Sequence, residues 1–143
     1  MPTQNVALVN RFYEEFCNAR KLNIASELFA ADHAYRDPSS PWVGSGPAGM
    51  QQLIGTYQSA FGDAHWTINE ILEAGDRVIT RWTGTGTHSG DLMGLAPTNR
   101  KVNVTGIMIQ RIVNGKIAET WDNWDMYSML QQLGVAQAIS AAA

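Results

Sequence analysis

The apolar pattern of the sequence changes its period near residue 65, and this change restricts the fold more than any other feature. Before it, apolar residues recur at helical spacing in residues 6–19 and 48–61, and a shorter helix is expected at residues 24–29. Residues 31–37 read as an extended piece that ends before Pro38, because proline displaces the preceding residue from the helical region. The first part of the chain is therefore expected to be mainly helical.

After residue 65, four runs rich in β-branched and aromatic residues predict four strands, at residues 66–73, 77–87, 101–113 and 116–124. Gly75-Asp76 separates the first pair, and Asn114-Gly115, a strong hairpin signal, separates the last pair. A short helix at residues 126–133 is expected to end at Gly134. Helices followed by antiparallel strands indicate an α+β fold, in which the helices cover the concave face of a bent sheet and leave a cone-shaped cavity.

The composition fits one domain over residues 1–143, with 45% hydrophobic and 16% charged residues, and needs no disulfide or metal to form a core. Cys17 is the one cysteine, and we interpret it as a buried free thiol. A formal net charge of -3 without a basic cluster makes nucleic acid and membrane surfaces unexpected partners. Residues 1–5 do not resemble a secretory leader and no apolar run could span a bilayer, so we expect a cytoplasmic protein with a frayed tail at residues 141–143.

The Asn114-Gly115 turn decides which side chains of the last two strands share a face, because a slip of one residue turns every side chain over. A two-residue loop would pair Val113 with Lys116. A three-residue loop, with the glycine in the left-handed region, would pair Ile112 with Lys116 instead. The sequence leaves both turns open.

We favour the three-residue loop because it pairs Met108 with Thr120 and Gly106 with Asp122, where the shorter loop would pair Met108 with Trp121. The inward face then groups small, apolar and acidic side chains: Gly106, Met108, Ala118, Thr120, Asp122 and Trp124. The outward face carries the alternate residues: Ile107, Ile109, Arg111, Glu119 and Trp121. The apolar members of the outward face predict a homodimer or a higher homo-oligomer.

Asp122 is the candidate for chemistry, because it is a carboxyl in an apolar setting. Burial without a cationic partner raises the pKa of a carboxyl, by roughly 3–5 pH units when burial is complete. A carboxyl that titrates near neutrality suits a general acid or base. The alternative is that Asp122 only accepts hydrogen bonds from backbone or tryptophan N–H groups. Asp125 has the opposite strand parity, and we interpret it as the N-cap of the last helix.

Other side chains have a binding interpretation and a structural one. Asp37 would place a second carboxyl beside Asp122 for acid–base chemistry or water activation, or would cap a turn before the proline that follows it. His88 would contact a ligand, or would cap the loop that follows it. The three histidines have no metal-ligand spacing, so no metal site is expected. Four aromatic residues are candidates for stacking on a ligand, although at least two are expected to be core: Tyr57, Phe61, Trp82 and Trp124.

Several local patterns together resemble one family. The run Gly-Thr-His-x-Gly-x-x-x-Gly-x-x-Pro-Thr at residues 86–98 precedes Asn-Gly-Lys-Ile at 114–117, Trp-Asp at 121–122 and Gln-Gln-Leu-Gly at 131–134. These segments resemble the SnoaL-like polyketide cyclases of the nuclear-transport-factor-2-like superfamily. The resemblance extends from the first helix to the last glycine, and it implies a cone-shaped α+β barrel.

The resemblance also implies a reaction without a cofactor. The family's catalytic aspartate matches Asp122, which would remove an acidic C–H proton next to carbonyls and return a proton after intramolecular aldol attack. The family's glutamine and histidine fall at Gly106 and Met108, and an asparagine falls at Asp37. These differences imply a larger and more apolar site for a hydrophobic small-molecule substrate. A water-activating hydrolase or hydroxylase, and a non-catalytic binding protein, are the alternatives that the same fold allows.

The residues expected to contact that substrate, besides Asp122, are Asp37, Tyr57, Phe61, Trp82, His88, Gly106, Met108, Thr120 and Trp124.

Overall fold

Helices form the first part of the chain, and a sheet with one short final helix forms the rest. The computed structural model describes residues 1–137, so the expectation for residues 141–143 lies outside the described residues. The helices are α1 (Gln4–Arg11), which continues as a π-helical segment (Phe12–Asn18), a 3₁₀ turn (Leu22–Ile24), α2 (Ala25–Leu28), α3 (Gly46–Ala60) and α4 (Met126–Gln132). The strands are β1 (Phe29–Arg36), β2 (His65–Ala74), β3 (Arg77–Thr87), β4 (Lys101–Val113) and β5 (Lys116–Trp124).

The sheet has five strands in the order β1-β5-β4-β3-β2, and it is curved and open. Strands β2 to β5 pair in antiparallel fashion, as the sequence predicts. The extended piece before Pro38 is a fifth strand, β1, and it pairs with β5 in parallel. The predicted α+β class is confirmed. The sequence predicted four antiparallel strands, and the structure adds β1 as a fifth, parallel strand. Among residues 1–137, no helix has the length and apolar character needed to cross a membrane.

The turn between β4 and β5 differs from the one that the sequence analysis favours. Asn114 and Gly115 both have positive φ angles, 51° and 75°, and Val113 pairs with Lys116. This is the two-residue turn whose backbone twist matches that of the flanking strands. The prediction of a three-residue loop is therefore wrong.

A β-bulge in β5 keeps the predicted faces in spite of the shorter turn. Ala118 is the extra residue, because Ile117 pairs with Ile112 and Glu119 pairs with Arg111. A bulge of one residue reverses the alternation of side chains beyond it. The two departures from the expected hairpin therefore compensate each other on the question of which side chains face inward.

Beyond the bulge, Met108 lies opposite Asp122 and Gly106 lies opposite Trp124. These partners are two residues away from the expected ones, and a shift of two residues preserves the face. Asp122 is 4% exposed on the inner face, whereas Ile107 on the outer face is 53% exposed. The predicted division into an inner and an outer face is confirmed for β4 and for β5 beyond the bulge. Ala118, predicted on the inner face, is the bulged residue instead, and Ile117 is buried before it.

The helices cover the inner face of the sheet. The π-helical segment buries two pairs of adjacent residues against the sheet: Phe12 with Tyr13, and Phe16 with Cys17. The prediction that Cys17 is a buried free thiol is confirmed. α3 packs against β1 at the other side of the inner face. The space between these helices and the sheet holds the cavity described next.

Candidate active site

An aromatic cavity lies between the inner face of the sheet and the helices that cover it. Its wall comes from the π-helical segment, α3, α4 and all five strands, and most of its surface is apolar. The side chains important for the argument below all line it: Tyr35, Tyr57, Phe61, Trp82, Met108, Asp122 and Trp124. An apolar cavity with a few polar groups is the usual form of a binding site for a hydrophobic small molecule.

Asp122 is the acidic residue of this wall. Its Oδ2 atom accepts a hydrogen bond of 2.7 Å from the Tyr35 hydroxyl, and its Oδ1 atom has no hydrogen-bond partner. In the described part of the chain, no lysine, arginine or histidine forms an ion pair with it. The carboxyl is therefore buried without a compensating positive charge.

Burial raises the pKa of Asp122 to about 7, and the negative charge of nearby Asp37 acts in the same direction. The hydrogen bond from Tyr35 acts in the opposite direction. So does the indole N–H of Trp82, which lies close to the carboxyl without reaching hydrogen-bond geometry. The result is a carboxyl that exchanges a proton near neutral pH, as general acid–base chemistry requires.

Asp37 is close to Asp122 but has a different environment. Its Oδ1 atom accepts hydrogen bonds from the Ser39 amide (2.8 Å) and the Ser39 hydroxyl (2.6 Å), and its Oδ2 atom accepts one from Trp124 Nε1 (2.9 Å). The bond to the Ser39 amide forms the turn that the structural interpretation of Asp37 predicts. The Tyr35 hydroxyl also lies 3.1 Å from Oδ2. Asp37 is not part of the cavity wall, because its oxygens face these donors.

Gly106 supports the aromatic wall by having no side chain. A Cβ atom here would lie 2.5 Å from the Trp82 ring and 2.7 Å from Trp124 Cβ. The ring centroids of Trp82 and Trp124 are 6.4 Å apart, and Tyr57 meets Trp124 edge-on at 5.7 Å. The glycine therefore lies behind the wall, where it leaves space for both indoles.

Two polar atoms of the wall lack hydrogen bonds. The Tyr57 hydroxyl and Trp82 Nε1 are both buried and without a partner. An unpaired buried polar group costs about 1–3 kcal/mol. A ligand with acceptor oxygens in suitable positions would remove this cost, so these atoms are candidate donors to a ligand.

His88 and Thr120 do not line the cavity. Nδ1 of His88 lies 3.1 Å from the Thr98 amide, so His88 holds the loop before β4 in place, as its structural interpretation predicts. Phe61 lies between His88 and the cavity, with ring centroids 5.5 Å apart. The Thr120 hydroxyl lies 2.8 Å from His33 Nε2 in a separate, fully buried polar cluster. Contact with a cavity ligand is therefore blocked for both residues by the packing around them.

The sequence analysis missed Tyr35, which connects the two carboxyls. Tyr35 reaches Asp122 because β1 lies beside β5, where Tyr35 pairs with Thr120. No local pattern in the sequence reveals a parallel pairing between distant strands. The signal that was present is the spacing of Tyr35 and Asp37, which are two residues apart in the extended piece predicted at residues 31–37, so that both side chains point to the same side.

The sequence was compared with known proteins. A family model of SnoaL-like polyketide cyclases matches residues 7–133. The chain belongs to this family. Nogalonic acid methyl ester cyclase of Streptomyces nogalater is 33% identical over 93 residues, which cover 64% of this chain and 69% of that relative.

Solved structures of SnoaL-like proteins share the fold. IdmH of Streptomyces antibioticus, a candidate polyketide cyclase, is 32% identical with a TM-score of 0.79, over 93% of this chain and all of that one (100%). AclR of Streptomyces galilaeus, a candidate hydroxylase, is 27% identical with a TM-score of 0.82, over 96% of this chain and 89% of that one. Solved structures with this fold are thus assigned to different reactions, so the reaction of this chain depends on its own cavity.

Metal coordination was considered for the same residues. Within residues 1–137, no group of three or more histidine, cysteine, aspartate or glutamate side chains is arranged to hold a metal ion. The hydrogen bonds of Asp37 and Asp122 are made with tyrosine, serine and tryptophan donors. The donors that surround the two carboxyls are therefore neutral groups.

Proposed function

We propose that this SnoaL-like protein is a cofactor-independent cyclase or isomerase for a hydrophobic, carbonyl-bearing small molecule, with Asp122 as general acid and base. The observation that carries the proposal is a buried carboxyl in an aromatic cavity, with one oxygen that has no partner. A pKa of about 7 lets the same group take and give a proton at neutral pH. The apolar wall supports a hydrophobic substrate.

The proposed reaction moves one proton and forms one carbon–carbon bond. The ionised form of Asp122, which coexists with the protonated resting form near neutral pH, removes a proton through Oδ1 from a carbon between carbonyl groups and leaves an enolate. The enolate carbon attacks a second carbonyl of the same molecule, and the C=O π bond becomes an alkoxide. Protonated Asp122 then returns the proton to that oxygen. The product is an isomer of the substrate, so the balance needs no oxidant and no water.

Two neutral donors are suited to stabilise the enolate. The Tyr57 hydroxyl and Trp82 Nε1 line the cavity without partners of their own. Donors aimed at an oxygen that gains negative charge stabilise the transition state more than the ground state. In this chain they would replace the polar side chains that the family places at Gly106 and Met108.

The comparisons support this reaction class. The relative from Streptomyces nogalater is named for the cyclisation of a methyl ester, nogalonic acid methyl ester. We therefore propose polyketide-like esters as the first substrate class to test. Hydroxylation is the second candidate, because AclR, a candidate hydroxylase, matches this chain over 96% of its length. This reaction would need molecular oxygen as the oxidant.

The experiment incubates the purified protein with nogalonic acid methyl ester in ¹⁸O-labelled water. Ring closure gives a product with the mass of the substrate. Hydrolysis incorporates labelled oxygen from water, and hydroxylation by molecular oxygen adds one unlabelled oxygen. We expect an isomer, and we expect Asp122→Asn to lose about 10²- to 10⁴-fold in kcat.

Asp125→Asn is the matched control. Asp125 is exposed and caps α4, where its Oδ1 atom accepts a hydrogen bond of 2.9 Å from the Ser128 amide, as predicted for an N-cap. This variant should keep its turnover, with only a small loss of stability. Full turnover in Asp122→Asn would show that the proposed mechanism is wrong. A ligand bound with no conversion would favour the non-catalytic alternative.

We further propose a cytoplasmic homodimer or higher homo-oligomer, formed through the outer face of the sheet. Leu72 and Ile107 on this side are 54% and 53% exposed, which favours an apolar contact with another molecule. Light scattering tests the assembly, and a monomer at all concentrations would contradict it.

A further inference from the structure

We propose that Asp37 is a positioning residue that shares the Tyr35 hydroxyl with Asp122 and keeps a proton on Asp122 in the resting site. The inference rests on the proposed function, because it concerns the readiness of Asp122 for acid–base chemistry. It assigns to Asp37 a role without substrate contact, since Asp37 lies outside the cavity wall.

The Tyr35 hydroxyl has one hydrogen but lies between two carboxyl groups. The Tyr35 oxygen lies 2.7 Å from Asp122 Oδ2 and 3.1 Å from Asp37 Oδ2, which are both hydrogen-bond distances. A hydroxyl group has one hydrogen and donates to one acceptor at a time. Both contacts are hydrogen bonds only when one carboxyl is protonated and donates to the Tyr35 oxygen.

The hydrogen bonds of Asp37 and Asp122 differ, and the difference determines which of the two carboxyls holds that proton. Asp37 accepts three further hydrogen bonds, two from Ser39 and one from Trp124, and such bonds stabilise a carboxylate. Asp122 accepts one hydrogen bond, from Tyr35, while the Trp82 indole N–H lies nearby outside hydrogen-bond geometry and Oδ1 is unpaired. In the resting site the proton therefore resides on Asp122, which donates to Tyr35, while Tyr35 donates to the Asp37 carboxylate.

The arrangement has a second state after Asp122 gives up its proton. The Tyr35 hydroxyl then turns its hydrogen from Asp37 to the new carboxylate, and Asp37 keeps the bonds from Ser39 and Trp124. One short rotation thus serves both protonation states of Asp122. The hydroxyl stabilises the base form, and the charge of Asp37 favours the acid form.

Asp37 is the charged neighbour that favours the protonated form of Asp122, because the other titratable groups near Asp122 are neutral. The titratable groups that face it from the π-helical segment and α3 are Tyr13, Cys17 and Tyr57, and burial raises the pKa of each of them. All three are therefore neutral near pH 7. In the described part of the chain, Asp37 is the charged group that acts on the Asp122 carboxyl.

The experiment follows the ionisation of Asp122 directly, by ¹³C NMR of aspartate carboxyls, with the Asp122 signal assigned by its loss in Asp122→Asn. Removal of the Asp37 charge by Asp37→Asn should lower the titration midpoint of Asp122 by about one pH unit. Removal of the Tyr35 hydroxyl by Tyr35→Phe should raise the midpoint, because the carboxylate loses its donor. A general loosening of the site would expose Asp122 and lower the midpoint in both variants, so the opposite signs are diagnostic.

Asp32→Asn is the matched control, because Asp32 is an exposed carboxyl on the same strand as Tyr35. It should leave the midpoint in place. An unmoved or raised midpoint in Asp37→Asn, or a lowered midpoint in Tyr35→Phe, overturns the proposal. If Asp37→Asn does not fold, the sign in Tyr35→Phe decides. If Tyr35→Phe does not fold, Asp37→Glu takes its place, because it keeps the charge and should lower the midpoint much less than Asp37→Asn. The NMR titration needs no substrate. Full turnover in Asp122→Asn would therefore contradict the proposed function without changing the titration result for Asp37→Asn and Tyr35→Phe.

Discussion

Asp122 and Glu119 are carboxyls on the same strand, three residues apart, and they have opposite environments. Glu119 lies on the outer face, where Arg36 Nε donates to it at 2.5 Å and Arg111 Nε at 3.2 Å. These hydrogen bonds, with that of Arg36 the stronger, lower the pKa of Glu119. Asp122 lies on the inner face without a cation, and burial raises its pKa to about 7. Strand alternation thus assigns one carboxyl to a surface ion pair and the other to an apolar cavity.

The comparison shows that the neighbours of a carboxyl decide what it can do. A carboxylate held by two arginines stays ionised near neutral pH and has no proton to exchange there. A buried carboxyl without a cation retains a proton up to neutral pH at a cost in stability. Each prediction below removes or reverses one part of this difference.

The largest expected effect is on the pH dependence of stability. The folded protein keeps a proton on Asp122 up to about pH 7, whereas the ordinary pKa is 3.8. The stability that this proton provides is complete below about pH 4 and is lost as the pH rises through about 7. At about 1.4 kcal/mol per pH unit, the fall in the free energy of unfolding reaches up to about 4 kcal/mol.

Asp122→Asn removes this fall, so it should become more stable relative to the wild-type protein as the pH rises from 4 to 8. Urea unfolding at both pH values measures the difference. Glu119→Gln is the control, and it should show no such gain over this interval. Parallel stability curves for Asp122→Asn and the wild-type protein would mean that Asp122 is not buried without compensation.

A cation placed beside Asp122 would give it an environment like that of Glu119, which has two arginines. Met108 lies opposite Asp122 on β4, so Met108→His places an imidazole beside the carboxyl. In its protonated form it should lower the titration midpoint of Asp122 by about 1–2 pH units. The same NMR titration measures the shift.

Ile107→His is the matched control, because Ile107 lies on the same strand with its side chain on the outer face. It adds the same group at one residue's distance but should leave Asp122 unchanged. Equal shifts in the two variants would contradict the division of β4 and β5 into two faces.

The smallest effect is expected for Glu119→Gln at neutral pH. The side chains of Arg36 and Arg111 are 56% and 32% exposed, so solvent screens both ion pairs. The loss in the free energy of unfolding should be below about 1 kcal/mol. Because the pKa of Glu119 is lowered, this contribution is present above its ordinary value and disappears as the pH falls through the lower one. Thermal unfolding at pH 7 and at pH 3 tests both statements.

The sequence predicts the inner position of Asp122 because alternation along a strand is a local property. It does not predict the turn correctly, since the bulge at Ala118 has no local signal and offsets the shorter loop. The faces were right although the pairing was wrong. A prediction based on alternation tolerates an error of two residues, and a prediction of individual partners does not.

The sequence also does not reveal how the two acidic residues are connected. Asp37 was a candidate for ligand contact, but its oxygens accept hydrogen bonds from Ser39 and from the Trp124 indole. Trp124 lies on the neighbouring strand β5, 87 positions away along the chain. Tyr35 enters the site because β1 lies beside β5. Such long-range contacts depend on the packing of the whole chain, so local patterns could not supply them.

The parallel pairing of β1 with β5 also has a consequence for synthesis of the protein. Tyr35 and Asp122 are separated by 87 positions along the chain, so the ribosome releases one half of the site well before the other. Until β5 emerges, β1 has no partner strand, and its unpaired edge is open to contacts with other nascent chains. We therefore expect chaperone dependence and a slow final phase of refolding, in which β1 pairs with β5. Acid–base function requires this pairing, because it brings Tyr35 to Asp122.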